Sequence, residues 1–450
     1  MPSDLKKKFW SFDHIVRVTD GEWIREPDAN DPAPTGLEHD TRTLYAGHVY
    51  LAVPGERFDG HDYVAQAFAK GAALAIVSRD VGPAAAGPTL KVEDPVAALQ
   101  ELASAYRDTL AAGGCKVIAI CGSNGKTSTR HMLHHTLRVC GLKGTESPKS
   151  FNNHLGVPLT LLAAHPDHDF VACEIGTNHP GEIEALSGMV WPDAAIITSI
   201  GREHMAFFKT LDGVAHEEAA VMRFVRPGGL VVAPADAARL MAPFYNVQEN
   251  VILLPLASDE DVPKGFRLAG EHNRMNGALV LAVARWLDVN PSHAVAALMT
   301  ATLPPGRMQS LAIGGGREAG GIDLIHDAYN ANPDSVRAAI ETLAAQPGRT
   351  VAVLGDMLEL GDMGPAAHIE VLQHARELEI SARLAVGPLM TAARDDSEMS
   401  WPNPEHAFVN TDGVADHIQA GDTVLLKGSR GMALERLIPV LEEKFSDVPF

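Results

Sequence analysis

The amino-acid sequence predicts an α/β protein of three domains. Strand-like apolar runs alternate with helical patterns along most of the 450 residues, which is typical of parallel sheets with right-handed helical crossovers. This length suits two to four domains. Two stretches have the composition of linkers, because they are rich in small residues, glycine or proline. They are residues 111–115 and 300–309. We therefore expect domains at 1–112, 113–308 and 309–450.

The first domain is predicted to be a small α/β unit. Residues 48–53 alternate like a strand, and 72–78 form an apolar run typical of a buried strand. Residues 61–71 form a helical pattern that ends at a glycine, and 95–110 have the periodicity of an amphipathic helix. A small sheet covered by helices is the expected result.

The other two domains repeat this alternation more regularly. The strand-like runs of the central domain are KVIAIC (116–121), DFVACEIG (169–176), DAAIITSIG (193–201), GLVVAP (229–234) and NVILLP (250–255). Those of the last domain are SLAI (310–313), IDLIHD (322–327), TVAVLGDM (350–357), SARLAVG (381–387) and DTVLLKGS (422–429), and GGGREAGG (314–321) is predicted to be a hairpin tip. In such parallel sheets ligands bind beyond the carboxyl ends of the strands.

Composition and charge exclude several classes of function. The net charge of −20 argues against a general nucleic-acid or membrane-surface binder. No apolar run reaches the roughly 18 to 20 residues that span a bilayer. The lysines near the N-terminus are not followed by the apolar segment of a secretory signal. Cysteines at 115, 121, 140 and 173 lack metal-site spacing and suggest free thiols. We expect a cytoplasmic protein, monomeric, that binds neither nucleic acid nor membrane.

A phosphate-binding loop is predicted where a strand meets a helix, in IAICGSNGKTSTRHML (118–133). Backbone N–H groups at such a junction, together with the helix N-terminus, can surround phosphate oxygens. Lys126 would contact the β- and γ-phosphates of a nucleotide, and the Thr127 hydroxyl would contact Mg²⁺. Ile120 stands where the usual P-loop has its first glycine, so a shorter loop variant is predicted. The alternative is an ordinary turn.

Two further side chains follow predicted strands beside this loop. Glu174 ends one strand, and a carboxylate there suits Mg²⁺, which prefers hard oxygen ligands. His204 lies just past the end of another strand. A strand-end carboxylate can instead cap a neighbouring backbone, and a lone histidine is more often structural. Their joint position beside the loop favours a functional interpretation.

The order of several motifs along the chain resembles the Mur ligase family. The motifs are GSNGKTSTRHML (122–133), SFNNHLGVPLTLL (150–162), EIGTNHPGEI (174–183), GEHNRMNGALV (270–280), PPGRMQ (304–309) and HDAYNANPDS (326–335). Within that family, segments 40–73, 354–361 and 425–435 resemble the branch that adds D-alanyl-D-alanine to UDP-N-acetylmuramoyl-tripeptide. The resemblance extends from about residue 40 to 436, and its specificity lies in the whole series of motifs.

The resemblance implies an N-terminal domain for the UDP-sugar substrate, a central P-loop-type ATPase domain and a C-terminal Rossmann-like domain that closes on the nucleotide. The residues it assigns to ATP are Gly122, Ser123, Asn124, Gly125, Lys126, Thr127, Ser128, Asn273, Asn276, Arg307, Asp327, Tyr329 and Asn330. Those assigned to the substrates are Asp40, Thr41, Arg42, Asn152 and Asn153. The catalytic set is Lys126, Glu174, His204 and Arg307, and the metal set is Thr127, Glu174 and His204.

The implied activity is an ATP-dependent ligation that forms an amide bond during synthesis of the cell-wall precursor. ATP and Mg²⁺ are the implied cofactors, ADP and phosphate the products, and UDP-N-acetylmuramoyl-tripeptide and D-alanyl-D-alanine the substrates. Transfer of the γ-phosphoryl group to a carboxylate gives an acyl phosphate, which an amine then attacks. The alternatives are a related ligase that joins another acid and amine, and a nucleotide-binding protein without catalysis.

The sequence departs from the family pattern after His204. The family usually has a lysine about 14 residues further on, which CO₂ carbamylates to help hold a second Mg²⁺. Glu218 stands at that position, and Met205–Phe208 also differ from the usual residues. Glu218 is therefore predicted to replace the carbamate as a metal ligand, since a carboxylate already carries its charge. The alternative is a solvated glutamate in an acidic run.

Overall fold

The structure, a computed structural model, describes residues 2–55, 58–244, 247–396 and 405–446. Its strands are β1 (Glu22–Arg25), β2 (Gly36–Glu38), β3 (His48–Leu51), β4 (Leu74–Val77), β5 (Thr89–Lys91), β6 (Lys116–Cys121), β7 (Gly144–Glu146), β8 (Phe170–Glu174), β9 (Ala194–Ile197), β10 (Leu230–Pro234), β11 (Ile252–Leu256), β12 (Gln309–Ile313), β13 (Ile322–Asp327), β14 (Thr350–Gly355), β15 (Ala382–Val386), β16 (Glu405–Phe408) and β17 (Thr423–Lys427).

The helices cover these strands on both faces. They are α1 (Pro2–Phe9), α2 (Phe12–Thr19), α3 (Val64–Ala69), α4 (Pro95–Ala112), α5 (Lys126–Val139), α6 (Gly156–Ala163), α7 (Glu182–Val190), α8 (Met205–Phe208), α9 (Leu211–Ala219), α10 (Ala235–Met241), α11 (Glu271–Trp286), α12 (Pro291–Leu298), α13 (Pro333–Ala344), α14 (Gly364–Glu377), α15 (Pro388–Asp396) and α16 (Leu437–Lys444). Within the described ranges, every helix is too short or too polar to span a bilayer.

The N-terminal sheet has the strand order β1-β5-β4-β3-β2, and only β1 runs antiparallel to its neighbour. Side chains alternate between its faces, as a strand requires: Val49 and Leu51 join one core cluster and Tyr50 joins another. The helix predicted over 61–71 begins later than expected. A 3₁₀ turn over Gly60–Tyr63 precedes α3, and the Asp59 carboxylate accepts the N–H of His61 at the start of that turn.

The central sheet is parallel throughout, in the order β11-β10-β9-β6-β8-β7. The predicted apolar runs coincide with β6, β8, β9, β10 and β11, whereas the short edge strand β7 was not predicted. Helices α5, α11 and α12 pack on one face. Helices α6, α7, α9 and α10 pack on the other face, and α4 packs there against α6 and α7. The strand order places the carboxyl ends of β6, β8 and β9 side by side.

One hydrophobic core joins the N-terminal and central sheets. Helix α4 supplies Leu99, Leu102 and other buried side chains to a cluster that continues into α6 and α7. Arg107 on α4 is also buried and forms an ion pair with Asp193 before β9, with Nη2 and Oδ2 2.6 Å apart. The predicted linker 111–115 therefore starts too early, since α4 continues through Ala112 and packs on the next domain. The exact domain limits stay predictions.

The C-terminal sheet has the order β12-β13-β17-β14-β15-β16 and is parallel except for the β12–β13 pair. That antiparallel pair confirms the predicted hairpin around 314–321. Helices α13, α14 and α15 cover one face, and α16 covers the other. Strand β16 was not predicted from the sequence. Three largely parallel sheets with helices on their faces confirm the predicted α/β class.

Candidate active site

A cavity of about 670 Å³ lies between the central and C-terminal domains. The carboxyl ends of β6, β8 and β9 form one wall, where a parallel sheet is expected to bind its ligand. The segment before β12 and the loops after β13, β14 and β17 form the opposite wall. The predicted site residues that line the cavity are Ser123, Asn124, Gly125, Lys126, Thr127, Ser128, Asn152, Glu174, His204, Asn273, Asn276, Arg307, Asp327, Tyr329 and Asn330.

The predicted phosphate loop connects β6 to the N-terminus of α5. Gly122 and Gly125 have φ angles of +113° and +87°, which favour glycine. A Cβ atom at Gly122 would also lie 2.5 Å from the Thr198 hydroxyl oxygen, so the loop packs closely on the segment after β9. That segment holds the loop, since Ser199 accepts the N–H groups of Ser123 and Asn124, each at 2.9 Å. The loop is therefore fixed with the start of α5 facing the cavity.

Lys126, the first residue of α5, points back over the loop. Its ammonium group donates to the carbonyl oxygens of Gly122 and Ser123, and it lies 3.4 Å from Oε2 of Glu203. Burial lowers the pKa of Lys126, but nearby carboxylates, chiefly Glu203 and Glu218, outweigh that effect and raise it above the ordinary value. The side chain is therefore cationic at neutral pH, as phosphate binding requires.

Hard oxygen atoms gather around Glu174 at the end of β8. Its Oε1 accepts hydrogen bonds from the Thr127 hydroxyl at 3.2 Å and from the Asn152 amide at 3.1 Å. Its Oε2 lies 3.4 Å from Nε of Arg130 and is a buried oxygen without a hydrogen-bond partner among the described residues. This donor set fits Mg²⁺, which binds through one or two carboxylates together with substrate phosphates.

Protein side chains alone do not complete a metal site here. Across the described ranges, no group of three or more His, Cys, Asp or Glu side chains is arranged to hold a metal ion. Thr127 and Glu174 would therefore share a Mg²⁺ ion with nucleotide oxygens, as is usual for this cation. His204 also lines the cavity, and its Nδ1 lies 3.6 Å from Oε2 of Glu359 in the C-terminal domain.

Glu218 contacts the phosphate loop but does not line the cavity. Its side chain is completely buried, and its Oε2 accepts the N–H of Gly122 at 2.8 Å. Burial, followed by the nearby charge of Glu203, raises the pKa of Glu218 to about 8. Among the described residues that line the cavity, Glu203 is present and Glu218 is absent. The predicted solvated alternative is therefore wrong, whereas the role of Glu218 as a metal ligand stays a prediction.

Sequence reasoning missed Glu203. The residue lies in the loop between β9 and α8, directly before His204, and its carboxylate faces Lys126. No motif marks it, because its importance arises from where the loop turns. The available signal was its position next to a histidine already suspected of a role.

The residues predicted for the nucleoside lie on both walls of the cavity. Asn273 and Asn276 on α11 are buried, and the Asn276 amide lies so near the phosphate loop that a Cβ at Gly125 would be 2.9 Å away. The Arg307 guanidinium stacks on the Tyr329 ring, 4.1 Å from its centroid. Aromatic and amide groups of this kind suit a base and a ribose.

Asp327 organises the C-terminal wall of the cavity. Its Oδ2 pairs with the buried Lys427 ammonium at 3.0 Å, and its Oδ1 accepts the N–H of Met308 at 3.1 Å. Lys427 also donates to the carbonyl oxygen of Asn330. Burial lowers the pKa of Lys427, with Asp327 opposing that effect. A second lysine, paired with a carboxylate, therefore lines the cavity from the C-terminal domain.

Polar contacts close the cavity between the two domains. Asn332 at the start of α13 donates its side-chain amide to Oδ1 of Asn124 at 2.8 Å. Arg202, in the loop after β9, donates to Asp334 and to Glu370 on α13 and α14, with the shortest side-chain distances at 2.8 and 2.7 Å. The C-terminal domain is therefore held against the phosphate loop.

The predicted substrate residues lie in three separate places. Asn152 lines the cavity and contacts Glu174. Asn153 instead caps α6, where its Oδ1 accepts the N–H of Gly156 at 2.9 Å. Asp40, Thr41 and Arg42 lie in the N-terminal domain, outside the cavity walls as the described residues form them. Their predicted role stays a prediction.

Three family models match successive parts of the chain. They are the Mur ligase family, catalytic domain, over residues 34–107; the Mur ligase middle domain over 120–282; and the Mur ligase, glutamate ligase domain, over 306–430. The predicted phosphate loop lies within the second match, and the C-terminal cavity wall lies within the third.

Relatives along the whole chain agree with these matches. A UDP-N-acetylmuramoyl-tripeptide–D-alanyl-D-alanine ligase of Bacillus subtilis (strain 168) is 31% identical and covers 93% of this chain and 96% of its own. The ligase of the same name from Escherichia coli (strain K12) is 30% identical and covers 90% and 93%. A crystal structure of MurF from Acinetobacter baumannii superposes with a TM-score of 0.82 at 29% identity, over 96% and 99% of the two chains. The chain belongs to the Mur ligase family.

Proposed function

We propose that this chain joins D-alanyl-D-alanine to UDP-N-acetylmuramoyl-tripeptide at the expense of ATP, releasing ADP and phosphate, in the cytoplasmic synthesis of peptidoglycan precursor. The observation that carries the proposal is the cavity in which the phosphate loop and Glu174 face Arg307, Asp327 and Lys427 of the C-terminal domain. The names of its relatives support the choice of substrates, since the likeness extends over nearly the whole of each chain. We propose that the enzyme acts as a monomer.

The first chemical step activates the carboxylate at the end of the tripeptide. A carboxylate is a poor acylating agent, whereas an acyl phosphate has a good leaving group. Transfer of the γ-phosphoryl group spreads negative charge over its oxygens, and cations around it lower the barrier. Lys126 supplies one fixed positive charge at the phosphate loop. Thr127 and Glu174 would hold Mg²⁺, which supplies further neutralisation of phosphate charge when bound.

The second step is attack by the amine of D-alanyl-D-alanine on the acyl phosphate. The amine must be neutral to attack, and water must be kept from the same carbon. A domain that closes over the cavity orients the amine and excludes water. The contacts of Arg202 and Asn332 across the domain boundary support such closure. We place the amine near Asn152, whose amide reaches Glu174.

The remaining roles follow the layout of the cavity. Asn273 and Asn276 would lie beside the adenine, and Asp327, Tyr329 and Asn330 beside the ribose. The uridine diphosphate would bind to the N-terminal domain near Asp40, Thr41 and Arg42. There the Arg42 guanidinium is highly exposed although paired with Asp40 at 2.6 Å, and this pairing lowers the pKa of Asp40 to about 2.

An ADP-release assay tests the proposal. UDP-N-acetylmuramoyl-tripeptide is supplied with and without D-alanyl-D-alanine, together with ATP and Mg²⁺, and release is expected only when both substrates are present. The Lys126→Ala variant is the control for contaminating ATPase. Release with other acid and amine pairs but not with these would assign the chain to a related ligase, which the departures at Met205–Phe208 make the leading alternative. ATP binding without any turnover would remove the enzymatic assignment.

A further inference from the structure

Arg130 is a buried arginine that contacts Glu174 without lining the cavity, as the described residues form it. It lies on α5, one helical turn after Lys126. Its side chain is only 5% exposed, so its charge has been removed from solvent almost completely. Burial of a charge is costly unless opposite charges compensate it, so the neighbours of Arg130 decide what the side chain does here.

Two carboxylates flank the Arg130 guanidinium. Its Nε lies 3.4 Å from Oε2 of Glu174, and its Nη1 lies 3.2 Å from Oε2 of Glu146 on β7. Both contacts are ion pairs without hydrogen-bond alignment, and burial leaves little solvent to screen them. The other oxygen of Glu146 faces the Nδ1 atoms of His131 and His134, at 3.5 and 3.4 Å. Glu146 therefore holds one arm of the guanidinium, while Nε faces Glu174.

The two oxygens of Glu174 have different neighbours. Oε1 accepts the Thr127 hydroxyl and the Asn152 amide, and both of these side chains line the cavity. Oε2 faces Arg130, which does not line it. The backbone N–H of Glu174 donates to Oγ of Ser147, directly after β7, at 2.9 Å. A carboxylate with fixed neighbours on both oxygens presents one of them to a ligand in a defined direction.

We propose that Arg130 is a positioning residue, which holds Oε2 of Glu174 so that Oε1, beside the Thr127 hydroxyl, is the oxygen available to the Mg²⁺ of the nucleotide. Arg130 itself touches neither the nucleotide nor the ion. Strand β7 takes part through Glu146, which holds Arg130 on its other side. The inference rests on the proposed ATP-dependent function, since that function brings Mg²⁺ to Glu174.

A purely electrostatic role for Arg130 has the opposite consequence. Two cations near each other in a buried site repel, so removal of the guanidinium charge alone would strengthen binding of Mg²⁺. Loss of a positioning partner weakens it instead, typically by about 10- to 100-fold for a group that orients a metal ligand. The sign of the change in Mg²⁺ binding therefore separates the two roles.

Isothermal titration calorimetry of the full-length protein with AMP-PNP measures this sign without any turnover. The dissociation constant is determined with EDTA and again with excess Mg²⁺, and the ratio of the two values is the Mg²⁺ factor. The wild type should have a Mg²⁺ factor well above one. Arg130→Met should lower that factor by about tenfold or more, because the Glu174 carboxylate loses its fixed direction.

Two further variants make the result specific. Arg107→Met removes another buried arginine, 1% exposed and paired with Asp193 away from the cavity, and should keep the wild-type Mg²⁺ factor. It controls for general destabilisation of the domain. Arg130→Lys keeps a cation but lacks the planar fork that reaches two carboxylates, so its loss should be smaller than that of Arg130→Met. Circular dichroism establishes folding, and Arg130→Lys replaces any Arg130→Met protein that is unfolded.

Three outcomes would overturn the inference. They are an unchanged or larger Mg²⁺ factor in the Arg130 variant, an equal fall of the factor in Arg107→Met, and a wild-type factor of one. Failure of the proposed function would look different. It would abolish ADP release with the two substrates and leave the calorimetric difference between the wild type and Arg130→Met in place.

Discussion

Replacing Arg202 by alanine should loosen the C-terminal domain from the central domain. Its guanidinium donates to Oδ1 of Asp334 at 3.0 and 2.8 Å and to the two oxygens of Glu370 at 2.7 and 2.9 Å. Arg202 belongs to the central domain, and both acids belong to the C-terminal one. We predict that the C-terminal domain moves as a rigid body about the linker at 300–309, where the Pro-Pro-Gly sequence allows a hinge. The alanine variant should therefore favour an open arrangement.

The size of this effect follows from the exposure of the three side chains. Arg202, Asp334 and Glu370 are 28%, 35% and 37% exposed, so solvent screens both pairs. Each such pair contributes up to about 1 kcal/mol, which gives about 2 kcal/mol for the two. At about 1.4 kcal/mol for each factor of ten, the closed-to-open ratio should fall by up to about 30-fold.

The contribution also depends on pH in a defined direction. Hydrogen bonds from Arg202 lower the pKa of Glu370 in the closed form. A carboxylate with a lowered pKa stabilises the closed form above its ordinary titration range, and that stabilisation is lost as the pH falls through the lowered value. At neutral pH the full effect of the substitution should therefore be observed.

Small-angle X-ray scattering during a titration with AMP-PNP measures closure directly. The wild type should become more compact on binding, and the concentration for half-maximal closure should rise by up to about 30-fold in Arg202→Ala. Arg285→Ala is the matched control, because Arg285 pairs with Asp261 inside the central domain. An unchanged titration in Arg202→Ala, or the same compact shape with and without ligands, would refute this account of closure.

Three other predictions concern the loop, the metal ligand and the core. Lys126→Ala should abolish ADP release with an unchanged circular dichroism spectrum, since it removes charge at the phosphates; wild-type rates would contradict the site. Removal of bicarbonate should leave the rate unchanged, because Glu218 at the position of the family's lysine is already a carboxyl group, and a loss restored by bicarbonate would show a carbamate elsewhere. Arg107→Met should lower the free energy of unfolding in urea by about 3 kcal/mol, because it leaves the Asp193 carboxylate without its buried partner. A change below about 1 kcal/mol would show that the pair contributes little.

The predicted parts of the fold were those with a strong local signal. The run KVIAIC is apolar on both faces, which a strand in the middle of a parallel sheet requires, and it is β6. The glycines before Lys126 and Thr127 predicted the phosphate loop. Gly122 and Gly125 have positive φ angles, which few other residues adopt. The strands β7 and β16, with three and four residues, are too short to show periodicity and depend on their neighbours.

The unpredicted parts of the site arise from contacts between distant segments. Glu203 lines the cavity because the loop after β9 brings its carboxylate to Lys126, and Arg202 contacts the C-terminal domain because α13 and α14 lie opposite it. The spacing of nearby residues in the sequence does not predict either of these two contacts. Glu218 was assigned from its distance to His204 along the chain, but α9 turns it beneath Gly122. Sequence spacing therefore predicted that Glu218 lies near the phosphate loop, but it did not predict which acid lines the cavity.

The continuous core around α4 changes how the three sheets should be counted. The N-terminal and central sheets share buried apolar side chains and the Arg107–Asp193 pair, whereas the described contacts of the C-terminal sheet with the phosphate loop are polar. Units joined by a continuous apolar core unfold together, whereas the C-terminal boundary combines these polar contacts with apolar contacts of Ala269 and Leu303. We therefore predict that the N-terminal and central sheets move together as one body and that the C-terminal sheet moves as a second. The UDP-sugar substrate and ATP would bind first to the N-terminal and central domains. The reaction would begin when the C-terminal domain closes over them.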